Sequence, residues 1–322
     1  MKIFFKRILV LALSLLLLVP ASFSLVGCSR RTPDIVVTIF PFYDWTRVVL
    51  GDNPADLKVR YLFETGADLH TFEVGGLTPS VLLDISQTSL FLYNGGMSDE
   101  WTRLALANQQ NENRVAVPLM RELGVDETMR FPDDSFAGDE DDCCGGATHD
   151  EHIWLSPRFA TRLIERIRDE IMLLDPVNAA YYYANTEAYI AKLVALDAEF
   201  LAAVEDGTRD TIIVADRFPF LYMSNHYGFR FYAAFQGCSA ADEISPTTFT
   251  VLVDAVNRLS PNYLFIIDNM RFAESLIGSS NASPDVLRME CFQSVSRSRI
   301  NDGLTYYSAM RQNMESLRRA LA

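Results

Sequence analysis

The sequence predicts an α/β protein of two lobes, each a parallel β-sheet flanked by helices, joined by one long rigid helix. Three observations predict it. Short β-branched runs alternate with helix-like segments from Asp34 to Val117, and a second alternation runs from Thr211 to Leu321. Alternation of this kind produces parallel strands with helices on the sheet faces. Between the two stretches, Pro176–Val204 keeps apolar residues at helical spacing for 29 residues, which at ~1.5 Å per residue is on the order of 43 Å and spans a domain.

In the first half, Asp34–Phe40 (DIVVTIF) is β-branched and reads as a strand, Tyr43–Leu50 as a helix and Leu57–Leu62 as a strand. Pro79–Ile85 reads as a short helix. Leu90–Tyr93 (LFLY) is the continuous apolar run of a buried strand, followed by a helix over Glu100–Asn108 and a strand over Val115–Val117. The segment 131–151 carries eight acidic residues, a Gly pair and almost no large apolar residue, so it reads as a solvated loop. Pro157–Leu173 precedes the long helix. After Gly207 come strands at Thr211–Val214, Phe231–Phe235, Tyr263–Ile267 and Val286–Met289. Helices at Pro219–Tyr227, Pro246–Leu259, Arg271–Ile277 and Leu304–Leu321 alternate with them. No internal sequence repeat accompanies the two halves. Ligands of open α/β sheets sit at the carboxyl ends of the strands, so two such lobes share a cleft, and the long helix limits hinge motion.

The first segment is an address. Lys2, Lys6 and Arg7 form a basic n-region, Ile8–Val19 an apolar core, and Leu25-Val26-Gly27-Cys28 a lipobox whose Cys28 thiol receives the lipid. The chain therefore divides into a lipoprotein signal peptide (1–27), a lipidated tether (28–33), an N-terminal lobe (34–156), a helical region (157–206) and a C-terminal lobe (207–322). The lipid holds the protein at the outer face of the cell membrane. Of the 322 residues, 42 are acidic and 28 basic, for a net charge of −14. Cleavage removes three basic and no acidic residues, giving −17. So acidic a surface excludes nucleic acid as a partner and favours cations. Export makes disulfides possible. Cys143 and Cys144 are adjacent, where a bridge is strained, which leaves Cys238–Cys291 as the pair.

Four His are present: His70, His149, His152 and His226. Imidazole with carboxylates suits zinc or manganese, but 82 positions separate His70 from His152 and no short ligand motif connects them. Taken singly, each His reads as a surface or structural residue ahead of a ligand, and the acidic loop around His149 reads as solvated chain, with a weak metal-gathering role as its alternative. Asp216 in VADRFPFLY and Asp268 in YLFIIDNMR both follow strands, where a ligand-binding residue or a helix N-cap belongs. No nucleophile elbow, P-loop or dinucleotide fingerprint occurs.

The ordered set TIFPFYDWTRVVLGD, GADLHTFE, NGGMSDEW, DEHIWLSP, ADRFPFLY and GCSAADE resembles the zinc/manganese-binding lipoproteins of bacterial metal ABC importers, the cluster A-I receptors, in the branch with an ADRFP motif. The resemblance runs from about Ile35 to Leu321. It implies metal held in the cleft between the lobes, with His70 and His152 matching the first two family ligands. The third falls on Ala215, beside Asp216, and the fourth near Gln293. Glu243 matches an acidic position near the cleft. The same resemblance supports the Cys238–Cys291 disulfide. It implies a monomeric extracytoplasmic receptor, not an enzyme, that captures Zn²⁺, or Mn²⁺ second, and delivers it to an ABC permease. The altered third and fourth positions keep open a relative without tight metal binding that serves as adhesin or scaffold. A metal-dependent hydrolase would need an open coordination position beside a general base, which nothing in the motifs requires.

Overall fold

Two four-stranded parallel sheets, wired identically, organise the chain. The structure, a computed structural model, describes residues 32–68, 70, 72, 77–124, 150–237 and 244–322. The signal segment with Cys28, and Cys143, Cys144, His149, Cys238 and Glu243, lie outside the described residues.

In the N-terminal lobe β1 (Ile35–Val37) leads into α1 (Phe40–Leu50), then β2 (Val59–Tyr61), α2 (Pro79–Gln87), β3 (Leu90–Tyr93), α3 (Thr102–Ala107), β4 (Val115–Pro118) and α4 (Leu119–Glu122). The apolar run after Asp34 does not continue as strand. Pro41 stands in the first turn of α1, where its fixed φ favours the helix, so the chain turns helical at Phe40. β1 is buried along its whole length, as a strand covered by helices on both faces must be.

Two helices follow, α5 (Pro157–Leu174) and α6 (Ala179–Glu205), separated by a 3₁₀ turn at Pro176–Asn178. The predicted long helix therefore starts three residues late. At 27 residues it is about 40 Å long, and it packs on α1 and α5.

The C-terminal lobe runs β5 (Thr211–Phe218), α7 (Leu221–Tyr227), β6 (Arg230–Gln236), α8 (Pro246–Leu259), β7 (Tyr263–Ile266), α9 (Met270–Ser279), β8 (Asp285–Arg288), α10 (Arg297–Asn301) and α11 (Tyr306–Leu321). α11, which also packs on α6, opens with a capping box between Thr305 and Ser308. β5 extends four residues past the expected Val214, with a bulge between Val214 and Arg217.

The sheet orders are β2-β1-β3-β4 and β6-β5-β7-β8. The same wiring thus occurs twice without a matching sequence repeat. In each sheet the connections leave the first strand towards both sides, which opens a crevice at the carboxyl ends of β1/β3 and of β5/β7.

The lobes meet along a second seam besides α6. Arg297 N–H donates to the Glu64 carbonyl at 2.7 Å, and its guanidinium reaches Glu64 Oε2 at 2.9 Å and Tyr43 Oη at 2.8 Å. Tyr61 donates to the Val295 carbonyl at 2.8 Å. Below them Phe292 stacks between Phe40 and Tyr306 at centroid separations of 5.7 and 5.3 Å. One apolar core runs from β1 through α6 to α11, and a smaller one fills the space around α8 and α9.

Candidate metal centre

His70 and His152 enter the cleft on the same local device. Each is preceded two residues earlier by an aspartate, in D-L-H and D-E-H. Asp68 Oδ1 accepts the His70 main-chain N–H at 2.8 Å, and Asp150 Oδ1 accepts that of His152 at 3.1 Å. Such Asx turns hold a short loop without a helix or strand. The repeated Asp-x-His was readable in the sequence, although spacing alone gave it no weight.

The two Nε2 atoms then face each other at 3.0 Å. Two imidazole nitrogens on one tetrahedral zinc, each bound at 2.0–2.1 Å, lie about 3.3 Å apart. The pair is thus within a few tenths of an ångström of the separation that zinc imposes.

His152 is fully buried. Its Nδ1 hydrogen-bonds the Asp150 carboxylate, which fixes the tautomer and leaves the Nε2 lone pair facing the cleft. Tyr222 in turn donates to the Asp150 carbonyl at 2.5 Å. The Trp154 ring packs edge-on to His152 at 5.2 Å and donates to the Cys291 carbonyl at 2.8 Å. Behind the ring, a Cβ on Gly237 would come within 2.8 Å of His152 Cε1 and 2.9 Å of the Phe218 carbonyl oxygen, so only glycine fits there.

His70 is half-buried. Burial of its ring, then the facing His152, hold its pKa well below the ordinary imidazole value. It is therefore neutral, as a ligand must be. Its Nδ1 meets Ser98 Oγ at 2.6 Å.

Ser98 belongs to the turn NGGMSDEW after β3, which clamps the His152 segment. Asn94 Nδ2 donates to the Glu151 carbonyl at 3.1 Å, and Ser98 N–H donates to Glu151 Oε1 at 3.0 Å. A Cβ on Gly96 would sit 2.4 Å from Glu151 Cδ. The solvated stretch expected up to residue 151 thus ends earlier, because Asp150 and Glu151 are 1% and 3% exposed. Asp99 closes the turn by accepting Gly95 N–H at 2.9 Å.

Burial, with the Glu151 carboxylate adding to it, raises the Asp99 pKa to about 7. A raised acid binds its proton more tightly in the folded state. Its contribution to stability is complete below about pH 4 and is lost as pH rises through about 7. Asp99→Asn keeps the acceptor for Gly95 without the charge. It is expected to raise stability at pH 8 by on the order of 2–4 kcal/mol and to change little at pH 4. Melting temperatures of both proteins at the two pH values check this, and parallel curves would refute it.

The other expected residues are placed as follows. Gln293 comes from the loop after β8, and its Nε2 lies 2.6 Å from His152 Nε2. Its Oε1 accepts from the Cys291 thiol at 3.2 Å. Cys291 carries a free, buried thiol whose hydrogen goes to the Gln293 amide; Cys238, its expected partner, lies outside the described residues. Asp216 sits in the β5/β7 crevice, but its oxygens are engaged. Oδ2 accepts the main-chain N–H groups of Ile267, Asp268 and Asn269 at 3.1, 2.9 and 2.9 Å, and Oδ1 that of Arg217 at 2.8 Å. The carboxylate fills the place where such a crevice takes its ligand. Asp268 pairs outward with Arg288 at 3.4 Å. His226 binds Ser156 Oγ at 2.6 Å and is not brought to the pair. Among the described residues no three His, Cys, Asp or Glu converge as a metal set. The candidate centre, among the described residues, is two imidazoles and one amide.

The family model described as zinc-uptake complex component A, periplasmic (ZnuA), matches residues 35–320. The chain belongs to the ZnuA family. Members of that family are solute-binding receptors, not enzymes. The high-affinity zinc uptake system protein ZnuA of Bacillus subtilis is 24% identical over 289 residues, covering 89% of this chain and 87% of that protein. The zinc-binding lipoprotein AdcA of Streptococcus pneumoniae is 26% identical over 315 residues, and the chain spans 60% of its length. The crystal structure of the metal-dependent lipoprotein YcdH from Bacillus subtilis superposes with a TM-score of 0.71 at 24% identity, covering 89% of this chain and 98% of that one. It shares the ZnuA-family fold described above, two parallel sheets with a long helix.

Proposed function

We propose that this chain is an extracytoplasmic receptor that captures Zn²⁺ between His70 and His152 and hands it to an ABC permease for import. The observation that carries the reading is the convergence of the two Nε2 atoms at 3.0 Å, with His152 held in the ligating tautomer by Asp150. Buried imidazoles favour zinc, and manganese is the second cargo. Gln293 becomes a third ligand when its amide turns over to present Oε1. Glu243 is the candidate fourth, and Asp216 shapes the crevice beside them. Lipidation at Cys28 holds the receptor, as a monomer, at the outer face of the membrane that carries the permease.

A set of two imidazoles and an amide is neutral before any carboxylate joins it. It binds less tightly than a site with several anionic ligands and releases more readily, which suits a carrier. The test is titration of the soluble form beginning at Ser29, stripped of metal, with Zn²⁺ and with Mn²⁺. One zinc per chain, bound more tightly than manganese, is expected. No binding of either metal at micromolar concentration would overturn the reading.

A further inference from the structure

We infer that Ser98 is the positioning residue that lets His70 change tautomer as metal enters and leaves, while His152 stays fixed. The inference rests on the receptor reading above. It starts from an asymmetry between two otherwise matched ligands. Both imidazoles hang on an Asp-x-His turn, yet their Nδ1 atoms meet different partners. His152 Nδ1 faces the Asp150 carboxylate, which only accepts, so this ring carries its hydrogen on Nδ1 with or without metal. His70 Nδ1 faces the Ser98 hydroxyl at 2.6 Å, which both donates and accepts. Asp68, which opens the matching turn, takes the His70 main-chain N–H on Oδ1 and faces Arg217 with Oδ2 at 3.9 Å, while His70 Nδ1 lies against the Ser98 hydroxyl.

The protons follow. At 3.0 Å the two Nε2 atoms share one hydrogen. His152 Nε2 has none, since its ring hydrogen is on Nδ1, and two bare nitrogens at this distance repel, so His70 Nε2 donates; the Gln293 amide, with Nε2 at 2.6 Å, shares the same His152 lone pair. His70 Nδ1 is then bare and accepts from Ser98 O–H. When a metal takes the place between the rings, His70 Nε2 must offer its lone pair. Its hydrogen moves to Nδ1, and Ser98 Oγ turns from donor to acceptor. The imidazole keeps one proton throughout, so the exchange releases none from either histidine. Ser98 does this from a fixed position, because its N–H is held by Glu151 Oε1 at 3.0 Å and Glu151 belongs to the segment that carries His152.

Alanine at 98 leaves His70 Nδ1–H without an acceptor in the metal-bound state, where the bonded cation makes that hydrogen a stronger donor. Ser98→Ala is expected to weaken zinc binding by about 10- to 100-fold, with the melting temperature of the metal-free protein nearly unchanged. Ser98→Thr, which keeps the hydroxyl, is expected to stay within about threefold of the parent. The readout that packing would not move is the tautomer itself. ¹⁵N–¹H correlation spectra of the His-labelled protein should place the His70 hydrogen on Nε2 without metal and on Nδ1 with zinc. His152 should keep Nδ1–H in both. Ser98→Ala binding zinc as the parent does, or His70 showing one tautomer in both states, overturns this inference alone. A parent protein that binds no zinc overturns the receptor reading and this inference with it.

Discussion

Replacing His152 by alanine is expected to abolish zinc capture, lowering the affinity at least about 100-fold, more than any outer-sphere change. The ring is where the site's contacts meet. It faces His70 and the Gln293 amide through Nε2, is steered by Asp150 through Nδ1, and is walled by Trp154 and Gly237. Without it a single imidazole and an amide remain among the described groups, too few to hold a borderline cation against water. His70→Ala is expected to follow closely, and the double variant to bind no zinc. Because His152 is fully buried, alanine also leaves a cavity, so His152→Gln serves as the companion that keeps most of the volume. Zinc titration of each variant, with circular dichroism to establish folding, makes the measurement. Folded variants that retain parental affinity would remove this pair from the site.

Asp216→Ala is expected to act on the fold rather than on the metal, costing about 3 kcal/mol of stability. The side chain accepts four main-chain N–H groups, three of them on one oxygen and belonging to the loop between β7 and α9. Ile267 lies on the buried side of that loop. Removing the acceptor leaves the buried Ile267 N–H without a partner. Asp216→Asn is expected to lose less, since the amide oxygen still accepts. In both variants the zinc affinity of the folded protein should change less than about tenfold. Denaturant unfolding and zinc titration on the same samples separate the two roles. A stable Asp216→Ala protein that no longer binds zinc would make this carboxylate a ligand instead.

Much of this molecule was legible as pattern. Leu90–Tyr93 and Pro246–Leu259 fall where the sequence places them, because an unbroken apolar run and a Ser-Pro cap leave little choice of element. DIVVTIF was divided wrongly because β-branched composition does not reveal where Pro41 starts a helix. The 3₁₀ turn at Met97–Asp99 and the short α10 carry too few residues to show a period, yet the first of them presents Ser98. His70 and His152 were identifiable through motif order and not through spacing, since the sheet topology brings them together. Asp216 was expected just after a strand and lies within β5, at its bulge. What its carboxylate does depends on where the β7–α9 loop passes, and that is a tertiary fact. The free Cys291 thiol is of the same kind: its partner is set by the path of the Gln293 loop.

The seam that joins Glu64 to Arg297 and stacks Phe40, Phe292 and Tyr306 has a consequence for the chain as a folding unit. Although each lobe has its own sheet, one core runs through both. A break in the chain near residue 206 would leave each half with a bare aromatic face and take α11 away from α6. The halves are therefore not modules that fold alone and dock. They form a single cooperative structure, in which an insertion or deletion in one lobe is felt by the other.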